Sequence, residues 1–185
     1  MAQDQKKAAD EGRTLIWIDE SGFALLPALV RTYAPVGQTP ILRAKLSRDH
    51  LSVIGAITPE GKLYIMVQDH AFKSPDIVRF LKHLLRYIPG KLLILWDHLP
   101  AHRGQPVKDF LTNGAARRIH LEQFPTYAPE LNPTEGIWNQ LKCVEMKNLC
   151  CHHLPELRHE LRNATKRLRH KANVILGCIQ QPGYI

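Results

Sequence analysis

The chain has 185 residues, 44% of them hydrophobic, which is enough for one domain with a buried core. Its 25 Lys and Arg residues against 17 Asp and Glu residues give a formal net charge of +8, and this surplus favours a polyanionic partner such as nucleic acid. No stretch approaches the ~18 consecutive apolar residues that span a bilayer. The polar N-terminus also lacks the apolar segment of a signal peptide. We therefore expect a cytoplasmic protein with no membrane association.

The first half of the chain begins with a polar stretch and continues with three predicted strands. Residues 1–13 are predicted to be a lead-in or a linker stub. Residues 14–23, TLIWIDESGF, combine β-branched and aromatic residues and predict a strand. After a loop rich in Pro and Gly at 31–40, LSVIGAI (51–57) and KLYIMV (62–67) predict a hairpin, because Pro and Gly lie in the connection between them.

The second half alternates helices and strands. Ser74 as N-cap, followed by Pro and Asp and by apolar residues at helical spacing, predicts a helix that ends at Pro89-Gly90. The continuous apolar run KLLILWD (91–97) predicts a strand that is buried on both faces. A short helix over 106–111 and a strand over 118–124 (RIHLEQF) are expected next.

The order of elements predicts an α/β fold. A further helix opens at Asn132, and the segment 154–172 is expected to be helical and basic. Three antiparallel strands followed by parallel strands with helical crossovers give a mixed five-stranded sheet with helices on both faces. The ribonuclease-H-like arrangement has these elements and the strand order 3-2-1-4-5. We expect one domain over 14–150 and a C-terminal basic helical segment over 151–185.

Acidic residues occupy the predicted carboxyl edge of this sheet. Asp19 lies late in the first strand and Asp97 at the end of the fourth, and these two strands are neighbours in the predicted order. Glu135, in the first turn of the next helix, is the candidate for a third acid, and Glu130 stays an alternative. Glu20 is a poorer candidate because neighbours on a strand point to opposite faces. Carboxylates that converge repel each other and favour a hard cation such as Mg²⁺ or Mn²⁺.

Each acid also has a purely local explanation. Asp19 can start a turn before Ser-Gly, and Asp97 can cap the loop that follows its strand. Glu135 with Asn132 matches a capping box. Taken together, two strand-end aspartates and a helix-start glutamate on one edge favour a metal site.

Four stretches resemble the bacterial insertion-sequence transposases of the mariner-like superfamily, a group of DDE transposases. In that family an Asp ends the first strand, a second Asp precedes a loop with a His, and a Glu follows a Pro-x-Tyr-x-Pro-x-Leu-Asn-Pro-x-Glu run. The corresponding residues here are Asp19, Asp97, His102 and Glu135. Position 98 is His where the family often has Asn. The stretches are IDESGF (18–23), RTYAPVGQTP (31–40), LWDHLPAHR (95–103) and FPTYAPELNPTEGIWNQLK (124–142).

The resemblance implies a catalytic domain that cleaves DNA at transposon ends and joins the freed 3′ ends to target DNA. Asp19, Asp97 and Glu135 are then both the catalytic residues and the ligands of two Mg²⁺ or Mn²⁺ ions. Such transposases usually carry a helix-turn-helix part ahead of the catalytic domain, so we expect this chain to be the catalytic half of a split frame or a truncated remnant. Paired transposon ends imply a homodimer on DNA.

Several polar and basic residues are candidates for contacts to phosphate or DNA, with a solvated surface as the alternative for the basic helix. The Cys and His residues between 143 and 153 match no regular zinc-ligand spacing. The candidates for DNA contact are His102, Arg103, Asn132, Lys142, Arg158, Arg162 and Lys166.

Two other functions stay open on the same sequence. A ribonuclease-H-like nuclease would cut DNA without joining it. A non-catalytic remnant that binds DNA would regulate an active transposase. A phosphatase with an aspartate nucleophile fits poorly, because no second Asp lies two residues after Asp19 or Asp97.

Overall fold

The computed structural model describes residues 2–44, 47–125 and 128–184. Thr126 and Tyr127, which belong to the run 124–142 that resembles the transposases, lie outside the described residues. Met1 of the lead-in and Ile185 of the C-terminal segment lie outside them as well.

Five strands form one mixed sheet, as the sequence predicts. The order is β3-β2-β1-β4-β5, with β1, β2 and β3 antiparallel and β1, β4 and β5 parallel. The predicted order and fold class are therefore confirmed, and each predicted strand end lies within one residue of the observed end. The strands are β1 Arg13–Ala24, β2 His50–Ile57, β3 Leu63–Gln68, β4 Lys91–Trp96 and β5 Ile119–Gln123.

Six α-helices accompany the sheet in the described part of the chain. The fourth continues directly into a π-helical segment, Gln140–Glu145. The helices are α1 Ala2–Asp10, α2 Ser74–Tyr87, α3 Gln105–Thr112, α4 Thr134–Asn139, α5 Leu154–Arg169 and α6 Ala172–Gln180.

Side chains alternate between the two faces along each strand, so both faces of the sheet carry apolar residues and both are covered by helices. Trp17 of β1 belongs to a core that also contains residues of α1, α4, α5 and α6. Ile18, its neighbour, belongs to a second core that contains residues of α2 and α3. In the basic helix α5, Leu157, Leu161 and Leu168 are buried in the first core, so the apolar face of this helix closes the sheet.

The N-terminal segment differs from the expected solvated lead-in. Residues 2–10 form α1, Ala8 is only 4% exposed, and Lys7 donates hydrogen bonds to His120 and Glu122 of β5. The segment has little apolar periodicity, but Ala, Gln and Lys favour helix, and contacts with β5 hold it. The domain boundaries at 13/14 and 150/151 stay predictions.

Two helix boundaries also differ from expectation. Ser74 is the first residue of α2, and Lys73, whose backbone is extended, is the N-cap. The hydroxyl of Ser74 donates to the carbonyl of Ala101 (2.7 Å) and ties the helix to the loop after β4. The C-terminal segment contains two helices instead of one, since α5 ends at Arg169 and α6 begins at Ala172.

Candidate active site

The register of β1 and β4 places Asp19 and Asp97 at one edge of the sheet. The parallel pairing ends at Trp17 opposite Leu95, and each aspartate lies two residues beyond that pair. Asp19 stays in β1 and pairs with Gly55 of β2, whereas Asp97 follows the last residue of β4. The two aspartates therefore sit where the strands separate, at the carboxyl end of the sheet.

Asp19 is a buried carboxylate with an unusually high proton affinity. It accepts a hydrogen bond from the indole Nε1 of Trp138, 2.8 Å away, and the residue is 9% exposed. Burial, and after it the charges of Glu135 and Glu20, raise the pKa of Asp19 to about 7, although the hydrogen bond from Trp138 opposes them. Among the described residues no basic side chain forms an ion pair with Asp19, so its negative charge lacks a compensating cation.

Helix α4 brings Glu135 within electrostatic reach of Asp19. Glu135 lies in its first turn, and Trp138 follows three residues later on the same helix. The hydrogen bond from Trp138 to Asp19 therefore fixes α4 against the end of β1, and the carboxylate of Glu135 acts electrostatically on Asp19. Asn132 accepts a hydrogen bond from the backbone N–H of Thr134 (3.1 Å) and so caps this helix, as predicted.

Gly55 makes room for the indole ring. A Cβ atom on Gly55 would lie 2.6 Å from Cη2 of Trp138, which is closer than non-bonded carbon atoms approach. Since Gly55 is the β2 partner of Asp19, the absence of a side chain at this position permits the contact between Trp138 and Asp19.

Asp97 has the opposite electrostatic environment from Asp19. Its Oδ1 accepts a hydrogen bond from the N–H of Leu99 (3.0 Å) and forms an ion pair with Nδ1 of His102 (3.0 Å), which also lies 3.1 Å from the backbone carbonyl of Asp97. Burial on its own raises the pKa of Asp97, but the interactions with His102 and Leu99 outweigh burial and hold the pKa below its usual value. Asp97 is therefore ionised at neutral pH.

His102 connects Asp97 to Glu20. The imidazole is stacked on Trp96, with ring centroids 4.2 Å apart and planes within 3°, and its Nε2 lies 2.8 Å from Oε1 of Glu20. Burial lowers the pKa of His102, but hydrogen bonds to Asp97 and Glu20 raise it to about 10. A ring with a carboxylate at each nitrogen carries both protons, so His102 is a buried cation between two acids.

The structure thus gives Glu20 a role that the sequence did not predict. Its side chain does point away from Asp19, as expected, but on that face it meets His102. Glu20, Asp97 and His102 place possible ligand atoms within 4.8 Å of one another. A metal ion there would have to displace the His102 cation, whereas Asp19 and Glu135 form no ion pair with any described residue, which makes them candidate ligands beside Asp97.

The other predicted contact residues divide into several groups. His102 is buried with both nitrogens occupied, and Asn132 is buried in the helix cap. Arg103 donates to the carbonyl of His98 (2.8 Å), so it supports the loop after β4. Lys142 donates to Ser21 (2.8 Å) and its Nζ lies 5.1 Å from the ring centroid of Phe23, which puts a positive charge two residues beyond Asp19.

The candidates on α5 lie elsewhere. Arg158 donates to the carbonyl of Val67 in β3 (3.0 Å), while Arg162 and Lys166 are exposed. Glu130, the alternative third acid, is exposed in a 3-10 turn, Pro129–Leu131.

In the described ranges, no helix is both long and apolar enough to cross a membrane.

Comparisons with known proteins identify the family and the fold of the chain. The sequence matches the family of DDE superfamily endonucleases over residues 14–166. No curated protein sequence matches the chain at a significant level.

Solved structures of Mos1 transposase are similar in fold. The Mos1 mariner paired end complexes with Mn and with Mg have TM-scores of 0.62 and 0.61 and identities of 15% and 17%, and each match covers 100% of this chain and 61% of that chain. The Mos1 transposase paired-end complex with left transposon end has a TM-score of 0.61 at 13% identity, covering 97% of this chain and 59% of that chain.

The catalytic domain of Mos1 mariner transposase has a TM-score of 0.58 at 12% identity, covering 97% of this chain and 88% of that chain. This chain therefore spans about three-fifths of the length of the Mos1 chains in the paired-end complexes (59% and 61%) and most of the separate catalytic domain. The structural similarity establishes a shared ribonuclease-H-like fold, and at identities this low it establishes the fold alone. The family match over 14–166 covers most of the chain, and the chain belongs to the DDE superfamily endonucleases.

Proposed function

We propose that this chain is the catalytic domain of an insertion-sequence DNA transposase, which cleaves DNA at transposon ends and joins the freed ends to target DNA. The observation that carries the proposal is the buried carboxylate of Asp19. It lacks a basic partner among the described residues, lies within electrostatic reach of Glu135, and shares an edge of the sheet with Asp97. The family match and the fold of the Mos1 catalytic domain support the same conclusion.

The proposed ligands of two divalent cations are Asp19, Asp97 and Glu135. They offer only carboxylate oxygens, which suit Mg²⁺ and Mn²⁺, and the raised pKa of Asp19 indicates a site that is short of positive charge. Bound divalent ions supply stabilisation for the charge on the attacking and leaving oxygens of a phosphodiester.

The residues of the chain hold these ligands in place. Trp138 orients Asp19 by a hydrogen bond of 2.8 Å, and His102 orients Asp97 by an ion pair of 3.0 Å. In the first step, water attacks the phosphodiester at a transposon end and a 3′-hydroxyl leaves. In the second, that hydroxyl attacks a phosphodiester of the target and displaces another 3′-oxygen. Because only the nucleophile changes, one site serves both steps.

Basic residues near the site are proposed to contact DNA. Lys142, hydrogen-bonded to Ser21, and Arg103, on the loop after β4, lie on either side of the acidic edge. Their charge attracts phosphate before specific contacts form. We further propose that the protein acts in the cytoplasm as a homodimer on DNA. We also propose that a helix-turn-helix part, fused or separately encoded, acts together with this chain.

A strand-transfer assay tests the proposal against its closest alternative. The chain is incubated with Mn²⁺, a supercoiled plasmid and a labelled oligonucleotide duplex that carries a candidate transposon end. A transposase nicks or cuts DNA and also yields label joined covalently to the plasmid, whereas a nuclease on the same fold yields cut DNA only.

The matched control is Asp97→Asn, which replaces a charged ligand with a neutral side chain of nearly the same shape. We expect it to abolish cleavage and joining while its circular dichroism spectrum stays that of the wild type. Cleavage by the Asp97→Asn protein would remove Asp97 from the site. A wild-type protein that binds DNA but neither cuts it nor binds Mn²⁺ in calorimetry would be a regulatory remnant.

A further inference from the structure

A row of arginines follows the outer edge of the sheet. Strand β3 is an edge strand, and its backbone carbonyls at both ends accept hydrogen bonds from α5: Val67 from Arg158 (3.0 Å) and Leu63 from Arg169 (2.9 Å). Arg162 lies between these two arginines on the same face of α5. Arg169 follows Arg158 by eleven positions, which span ~16 Å at the helical rise of 1.5 Å per residue.

The arginines line an open groove between α5 and β3. A cavity of about 450 Å³ separates the side chains of α5 from Ile65, Met66 and Val67 of β3. The carbonyls fix the guanidinium groups of Arg158 and Arg169 but use one N–H donor of each, so further donors remain for a ligand. Arg162 is exposed, with no hydrogen bond or ion pair to any other described residue.

A second cavity, lined by aromatic rings, adjoins the first and shares Arg169 with it. Its volume is about 540 Å³, and its walls include Tyr64, His83 and Tyr87. The ring centroid of His83 lies 4.7 Å from that of Tyr87 and 6.3 Å from that of Tyr64. Tyr87 is 55% exposed, which leaves a large part of its ring available for stacking.

The charge of the combined groove is positive. Lys62 lines the aromatic cavity with Arg169, and the guanidinium of Arg86 lies 5.7 Å from the centroid of the Tyr87 ring. Glu60 lines the same cavity, and Asp69 is close enough to Arg158 to interact with it electrostatically. These two acids leave the basic residues in excess.

We propose that this groove, formed by the α5 arginines and the aromatic cavity, binds single-stranded DNA. Cations that follow a phosphate backbone, beside aromatic rings on which unpaired bases stack, are the two features that single-strand binding requires. A strand stacked at ~3.4 Å per nucleotide would place roughly four to five phosphates along the arginine row. In taking the nucleic acid to be DNA, the inference rests on the proposed function.

One end of the groove lies at the end of the sheet that carries Asp19. Strand β3 is antiparallel to β2, and β2 is antiparallel to β1, so β3 runs parallel to β1. Its last residues, next to Arg158, are therefore at the end of the sheet that carries Asp19. A single strand of DNA in the groove would therefore extend from the end of the sheet that carries Asp19 along the side of the domain.

Fluorescence anisotropy with a labelled 15-nucleotide oligo(dT) and a duplex of equal length tests the inference. The full chain carries Asp97→Asn and the buffer contains a chelator, so that cleavage plays no part. Tyr87→Ala is expected to weaken single-strand binding about 10-fold because a base loses its stacking partner. Arg162→Glu is expected to weaken it about 10-fold because a cation beside the phosphates becomes an anion. Arg162→Glu should also reduce the slope of log K against log salt by roughly 0.7 for each phosphate that is no longer neutralised.

Two control variants separate the groove from general charge and from folding. Arg117→Glu makes the same charge change at an exposed site beside the start of β5 and should leave single-strand affinity nearly unchanged. Tyr87→Phe keeps the ring and should bind like the parent. The inference would be overturned if Arg117→Glu and Arg162→Glu reduced the affinity for single strands equally, or if Tyr87→Ala bound single strands as tightly as the parent. It would also be overturned if the groove variants weakened the binding of duplex and of single-stranded DNA equally. If the groove variants bind normally while the wild-type chain cleaves and joins DNA, only the groove is refuted.

Discussion

Asp19 and Asp97 show how two carboxylates on one edge of a sheet acquire different proton affinities. Asp19 is enclosed by the first core and faces Glu135, so burial and repulsion raise its pKa to about 7. Asp97 is less buried and accepts hydrogen bonds from His102 and Leu99, so its pKa is lowered. The site therefore holds one carboxylate that is ionised throughout the neutral range and one that is still partly protonated near pH 7.

The raised pKa of Asp19 predicts how stability depends on pH. The folded chain holds a proton on Asp19 up to about pH 7, whereas the ordinary carboxyl releases it near 3.8, so stability falls as pH rises between these values. Asn at position 19 keeps an acceptor for Trp138 without the buried charge. Asp19→Asn should therefore be more stable than the wild type at pH 8, by roughly 2–4 kcal/mol in metal-free buffer.

Urea unfolding with a chelator, at pH 4 and at pH 8, measures this difference. The advantage of Asp19→Asn should be much smaller at pH 4, because the unfolded wild-type chain also binds a proton there. Asp97→Asn is the matched control and should lose stability at pH 8, because the pKa of Asp97 is lowered by native hydrogen bonds. Equal stability of Asp19→Asn and the wild type at pH 8 would contradict the assignment of a destabilising buried charge.

At the scale of elements, the site depends on the contact between α4 and β2. The indole of Trp138 lies over Gly55 and reaches Asp19 on the adjacent strand. This contact sets how close the first turn of α4, with Glu135, comes to the end of β1. A short helix of six residues has little stability of its own, so its position is determined by packing.

Gly55→Ala tests this dependence. Its Cβ would lie 2.6 Å from Cη2 of Trp138, so the ring must move, and overpacking of this kind typically costs ~1–3 kcal/mol. We expect lower stability and a loss of Mn²⁺-dependent cleavage larger than the loss of stability explains. Gly22→Ala in β1 is the control, because its Cβ would meet nothing closer than His50 at 4.0 Å. Similar effects of both substitutions would show that Trp138 does not position α4.

The elements also show what local sequence can and cannot predict. The capping role of Asn132 and the position of Asp97 at the end of β4 follow from rules that act within a few residues, so they could be predicted. The role of Glu20 depends on the loop after β4, which folds His102 back under Trp96. That contact joins residues 82 positions apart, and no local pattern contains it.

At the scale of the whole molecule, periodicity and strand order were sufficient to predict the sheet. Continuous apolar runs marked β4, alternation with turn residues marked β2 and β3, and the crossover rules for parallel strands fixed the order. The helix α1 was not predicted, because its few apolar residues show no period and its contacts are with the distant strand β5. Elements held by tertiary contacts alone are the ones that sequence patterns miss.

The whole chain should respond to a divalent cation by becoming more stable. A ligand that binds only the folded state at 100 times its Kd adds ~2.7 kcal/mol, and for a chain of this size that corresponds to a rise in Tm of roughly 5–10 °C. Mn²⁺ should produce this rise at pH 8, and less at pH 6, because protonated Asp19 competes with the ion. Differential scanning calorimetry with and without Mn²⁺ measures it.

Variants decide which residues hold the ion. Asp19→Asn, Asp97→Asn and Glu135→Gln should each remove most of the rise, while Glu130→Gln, which changes an exposed acid in the preceding turn, should keep it. Glu20→Gln separates the two possible sites, since Glu20 belongs to the group around His102 and not to the proposed ligands. If Glu20→Gln abolishes the rise and the Asp19 and Glu135 variants keep it, the ion binds beside His102 and the proposed triad is wrong.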